Sequence, residues 1–190
     1  MFRKIMAALT VTLGLAFLVP ALSAAPASAA APAPLAVRTI YYDASGAQEF
    51  RAAVDEGAAA WNAAVPAIRL VPATGAQATV KVYADNGWPR TYMYGFGQAV
   101  IYMGRQAVND GFYPPRIAAH ELGHALSLPD NRNGRCDYLM SGHSSPVSCQ
   151  STTPHSTEAA QVTRNAGAWV PAARTAASAR QATYADCFVF

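Results

Sequence analysis

Hydrophobic and polar positions recur along this chain with a period that changes from segment to segment, and each change marks a predicted element. Residues 37–42, Val-Arg-Thr-Ile-Tyr-Tyr, are rich in β-forming side chains and predict a strand. Behind it Phe50, Val54, Ala58 and Trp61 follow one another at helical spacing, so a helix is expected over about residues 46–64. Ser45 and Gln48 stand in capping-box relation at its start, and Pro66 closes it. Residues 68–71 and 79–83 read as short strands, the second through its period-two alternation, and GQAVIYM over 97–103 as another. Asp85-Asn86-Gly87 is turn chemistry. Pro114 and Pro115 suit the first turn of a second helix, from about 115 to 127. Residues 131–153 are rich in Asn, Gly, Ser, Pro and Thr and predict an irregular segment. A last helix is expected from Ser156, its N-cap, to about Trp169. The Ala-rich residues 171–190 carry little pattern and read as a loose extension.

The N-terminus changes this picture. MFRK, then a long apolar run, then Ala27-Ser28-Ala29 give the basic, apolar and small-residue regions of a secretory signal peptide over residues 1–29. The apolar run approaches membrane-spanning length, but Pro20 and the cleavage-like site favour removal over anchoring. Residues 30–36 (AAPAPLA) are then a linker or short pro-segment, 37–170 one domain, and the mature protein is expected outside the cell with no stable membrane association. Arg3 and Lys4 leave with the signal, so 12 of 14 basic side chains remain against 11 acidic ones, a charge of +1 instead of +3. No basic run survives, which argues against a nucleic-acid partner. Three cysteines remain in an oxidising setting. Cys136 and Cys149, 13 positions apart in the irregular segment, are the expected pair. Closing a loop of that size stabilises a fold by about 3 kcal/mol in the chain-entropy view. Cys187 is left over near the C-terminus.

The candidate chemistry lies in HELGHALSLPD, residues 120–130. His120 and His124, four apart, project from one face of a helix and can reach one metal ion. Glu121 stands where a carboxylate can take a proton from a metal-activated water, the arrangement of H-E-x-x-H metalloproteases. With four His and four Glu, chance produces the pattern in roughly two chains per thousand of this composition, which disfavours two ordinary surface histidines. A catalytic zinc needs a third protein ligand. Asp130, six residues past His124, lies just after the expected helix end, where the chain can turn back; Glu158, His143 and His155 are the other candidates.

HELGHALSLPD, then CDYLMSG with Met140 sixteen residues past His124, then Cys149, resemble the snapalysin family, small secreted bacterial neutral proteases of the metzincin clan. The resemblance covers about residues 37–170. It implies an α+β fold: a small twisted mixed sheet of about four strands, two packed helices, an irregular Met-turn segment and a C-terminal helix. It implies His120, His124 and Asp130 as zinc ligands, Glu121 as general base, Met140 beneath the metal and a Cys136–Cys149 disulfide. The strand at 97–103 would be a sheet edge on which an extended substrate pairs, making Gly97, Gln98, Ala99 and Val100 substrate-binding positions. Protein or peptide substrates, a monomer, and preference for an aromatic residue after the scissile bond complete the expectation.

Two departures bear on it. Ser127 stands where the family pattern has glycine, and a serine in the left-handed region costs on the order of 1 kcal/mol. Zinc ligation is worth roughly ten times that, so an irregular turn with the metal retained is expected. Some snapalysins bind calcium through an Asp and a Thr ahead of the first His; Tyr113 and Pro115 stand there in this chain. That leaves backbone carbonyls or Asp110 as oxygen donors, and makes calcium the weaker expectation. The activity expected is hydrolysis of peptide bonds by a zinc-activated water, with Glu121 as base and then acid. The alternatives are a secreted zinc-binding module without proteolysis, suggested by Ser127, the tail and Cys187, and a hydrolase that takes Glu158 as third ligand.

Overall fold

The structure is a computed structural model that describes residues 36–168 and the backbone of 182–184. The expected signal peptide, Trp169 and Cys187 lie outside the described residues. The elements are β1 (Arg38–Gly46), α1 (Arg51–Ala64), β2 (Ile68–Pro72), β3 (Val80–Asp85), β4 (Arg90–Gly95), β5 (Gln98–Gly104), α2 (Arg105–Asn109), α3 (Pro114–Ala125), α4 (Ser156–Ala168) and β6 (Ala182–Tyr184).

One mixed sheet runs in the order β2-β1-β3-β5-β4-β6. The strands β2, β1, β3 and β5 are parallel neighbours, and β4 reverses direction against β5. Period-two burial of Ile40, Tyr42 and Ala44 in β1, Val80 and Val82 in β3, and Ala99, Ile101 and Met103 in β5 turns one apolar row of each strand to the core. Trp61 of α1 is fully buried and its indole N–H donates to the Ala119 carbonyl of α3 at 2.8 Å. The two helices cross so closely at Gly57 that a Cβ there would lie 2.8 Å from the Ala119 nitrogen. This contact fixes the depth of α3 one residue before His120.

Three expectations are corrected. The first α-helix begins at Arg51 instead of about residue 46, because β1 continues to Gly46 and the Ser45 N–H is taken by Asp43 Oδ1 at 3.0 Å. The capping box therefore does not form, and Gln48 sits at φ 50°. Second, α4 is capped by His155 instead of Ser156: its Nδ1 accepts the Thr157 N–H at 3.2 Å, while its own N–H donates to Glu158 at 2.7 Å. Third, the strand expected at the sheet edge is interior. β5 pairs with β3 on one side and β4 on the other, so Gln98, Ala99 and Val100 have neighbours on both flanks. Gly97 lies in the hairpin turn at φ 71°. The strand β4, for which the sequence pattern made no case, is what displaces β5 from the edge.

Candidate metal centre

The helix α3 opens with Pro114 and Pro115 in its first turn, where a missing N–H costs nothing. One turn apart on its buried face, the rings of His120 and His124 meet edge to face with centroids 4.6 Å apart. The Nδ1 of His120 lies 3.0 Å from the Leu139 carbonyl and that of His124 2.8 Å from the Leu128 carbonyl. A carbonyl only accepts, so each Nδ1 carries the proton and each Nε2 presents its lone pair. The two Nε2 atoms are 3.0 Å apart, and Asp130 Oδ1 stands 3.2 and 3.4 Å from them.

Three electron-pair donors thus converge on one point in a buried setting, an arrangement that repels itself unless positive charge sits among them. Burial opposes the charge on Asp130, and a proton on a facing imidazole, by hydrogen bond and charge, would outweigh it and hold this carboxyl well below its usual range. A proton on one imidazole answers only part of the group, whereas a single divalent cation serves all three atoms. Two imidazole nitrogens and one carboxylate oxygen match the donor set of a zinc site with a coordination position left over. The residues present therefore fit zinc.

The turn after α3 brings Asp130 into place. Ser127 N–H donates to the His124 carbonyl at 2.8 Å and Leu128 N–H to the Gly123 carbonyl at 3.0 Å, the paired bonds of a Schellman motif. The residue that must be left-handed in that motif is Ser127, at φ 64°. Its position is held from outside: Asn165 of α4 donates to the Leu126 and Ser127 carbonyls at 3.2 and 3.1 Å, and the Ser127 hydroxyl reaches Met93 Sδ at 3.3 Å. Leu128, buried, follows as the apolar contact such a motif carries. The Asn131 N–H then donates to the Met140 carbonyl at 2.7 Å, tying the residue after Asp130 to the segment beneath α3.

That segment is supported by two buried charges. Glu158 of α4 accepts the backbone N–H groups of Leu139 (3.1 Å), Met140 (2.8 Å) and His155 (2.7 Å). Its carboxylate is spent on amides and lies outside the group formed by His120, His124 and Asp130. Arg116, one turn before His120 on α3, donates to the carbonyls of Cys136, Tyr138 and Ser151 at 3.0, 2.7 and 2.8 Å. Burial pushes its pKa below the usual arginine value, and Glu158 works against that shift. Cys136 and Cys149 form a disulfide that closes the same segment. Met140 is buried with its sulfur against α3, where a Cβ on Gly123 would come within 2.5 Å of it. A methyl at this position inside HELGH would therefore displace the Met140 thioether.

Glu121 is fully buried, and the Thr91 hydroxyl of β4 donates to its Oε2 at 2.6 Å. Of the remaining candidates, His155 stacks on Tyr138 at 4.0 Å and His143 is half-buried; neither joins the donor group. Thr91, Arg116 and Asn165 were not singled out from sequence. Only Arg116 left a signal, its place four residues before His120 on the same helical face.

Residues 36–169 match the model of the Streptomyces extracellular neutral proteinase (M7) family. An extracellular small neutral protease of Streptomyces lividans is 35% identical over 74% of the chain and 62% of its own length. One from Streptomyces coelicolor is 36% identical over 70% and 61%, and one from Streptomyces caespitosus 33% identical over 65% and 93%. The chain thus spans about three fifths of the first two relatives.

Proposed function

The chain belongs to the Streptomyces extracellular neutral proteinase family, and on that premise we propose that it is a secreted zinc endopeptidase whose general base is Glu121. The observation that carries this reading is the convergence of His120 Nε2, His124 Nε2 and Asp130 Oδ1 next to a buried Glu121. These three atoms would hold the zinc ion, which when bound supplies Lewis acidity towards water and the scissile carbonyl. Glu121 takes a proton from the attacking water and delivers it to the leaving amine. The Thr91 hydroxyl holds the carboxylate in one orientation for both transfers. An extended substrate pairs with the outer edge of β4, the strand that carries Thr91. The recess lined by Phe112, Tyr113, Arg116, Ile117, His120 and Gly142, whose exposed surface is mainly apolar, supports an apolar side chain after the cut. Admitting an aromatic one requires Phe112 or Tyr113 to move, because the recess has room for about one water-sized sphere. The names of the relatives support secretion.

The test is Glu121→Gln in the mature protein. Zinc stoichiometry is expected to stay at one per chain while peptide hydrolysis falls by about 10²–10⁴-fold. A chelator is expected to stop hydrolysis by the unaltered protein, and added zinc to restore it. Undiminished hydrolysis by the Gln variant would sink the assignment.

A further inference from the structure

β4 touches the metal centre from one side and offers a backbone ladder on the other. Its Thr91 holds Glu121, and its Met93 meets the Ser127 hydroxyl of the turn that delivers Asp130. On the outer edge of this same stretch the backbone of β6 runs antiparallel, with Thr91 opposite Tyr184, Tyr92 opposite Thr183 and Met93 opposite Ala182. The chain's own C-terminal region therefore uses the main-chain donors and acceptors that an extended peptide would need, and it does so level with Glu121.

We propose that the segment at Ala182–Tyr184 is an intramolecular occupant of the substrate edge, a built-in competitor that extended substrates must displace. The proposal rests on the endopeptidase reading above. Two strands cannot pair with one side of β4 at once, because each N–H and carbonyl of that edge points a single way. The ladder spans three residues and is weak by itself. Covalent attachment supplies what the short ladder lacks, since a segment of the same chain acts at an effective concentration of order millimolar. A weak, tethered strand suits a competitor that substrate can displace. It also gives the Ala-rich tail, otherwise without a role, a place in the chemistry of the site.

The experiment uses the full mature chain and the double substitution Thr183→Pro with Tyr184→Pro. Adjacent residues alternate in directing their N–H across an antiparallel ladder, so replacing both removes a donor whichever register holds. Amide exchange of Thr91, Tyr92 and Met93 and steady-state hydrolysis of an extended peptide are read together. The expected result is faster exchange at β4 and a KM lowered by about two- to tenfold at unchanged kcat. Unchanged exchange would show that β6 does not occupy the edge. Faster exchange with unchanged or raised KM would show that it does so without competing, and either result overturns the proposal. If neither chain hydrolyses peptide, the endopeptidase reading fails, and an unchanged Kd for the uncleaved peptide overturns the competition separately.

Discussion

His120 and Asp130 direct an atom at the same point, but different forces bring them there. His120 and His124 are placed by helical period: once α3 forms, the four-residue interval puts both imidazoles on one face. Asp130 lies past the helix, and nothing in its neighbours alone fixes it. Its position depends on Ser127 held left-handed, on Asn165 of α4 gripping the turn, and on the Met140 carbonyl that receives the Asn131 N–H. Met140 in turn is held by Glu158. One half of the site is local and robust, whereas the other is assembled from elements far apart in sequence. Damage to distant supports should therefore displace Asp130 most, while the histidines keep their helical placement and lose only the Leu139 or Leu128 carbonyl that orients a ring.

Glu158→Gln should have the largest effect on this comparison. A carboxamide offers one acceptor oxygen where the carboxylate serves three amides, so at least one backbone N–H would face an NH2 group. Hydrogen bonds to a buried charge are worth about 1.5–3 kcal/mol each, so a stability loss of about 3 kcal/mol is expected in chemical denaturation. Zinc affinity should fall by about tenfold, the size of effect seen when an outer support of a metal ligand is removed. Zinc binding lost outright in protein that is still folded would return Glu158 to the list of ligands.

The next largest effect is expected from Gly123→Ala. The added methyl would lie 2.5 Å from Met140 Sδ and 3.1 Å from Trp61 Cζ2, so the Met140 side chain must move or the segment below α3 shift with it. Overpacking of this kind costs about 1–3 kcal/mol, to be read from the thermal midpoint. Thr91→Val tests the local half. It keeps the shape and removes the donor to Glu121, so kcat should fall by about tenfold with zinc content unchanged and the midpoint should fall as a buried carboxylate loses a hydrogen bond, and Thr91→Ser should restore most of both. Equal loss in the serine variant would mean that packing, and not the hydroxyl, is what β4 contributes.

What the sequence made legible follows the same division. HELGH shows its chemistry because a helix converts spacing directly into geometry, and the irregular turn at Ser127 could be expected because one missing glycine identifies a backbone problem. Sheet order is different. GQAVIYM, with its clear alternation, supplies the interior strand β5, while the next strand outward is Arg90–Gly95, itself covered by β6, where only Thr91 is fully buried and the alternation is faint. Glu158 stood among the alternatives to Asp130 because a carboxylate on a following helix has the right chemistry. Its true partners are backbone amides 18 and 19 positions away, which side-chain composition does not record.

Ser127→Gly should have the smallest effect, and its smallness is informative. Glycine relieves about 1 kcal/mol of left-handed strain but adds about 0.5–1 kcal/mol of chain entropy to the unfolded state. It also gives up the hydroxyl contact with Met93. The balance is a midpoint raised by no more than a degree or two, with zinc affinity unchanged, because the Schellman bonds of residues 127 and 128 and the grip of Asn165 are all made through backbone atoms of the turn. Ser127→Val should go the other way, since a β-branched residue resists positive φ most strongly, and the strain would be passed to Asp130 as weakened zinc binding. If the glycine variant lost zinc instead, the turn would be held by the serine hydroxyl on β4, and Asp130 would owe its place to the sheet instead of to α4.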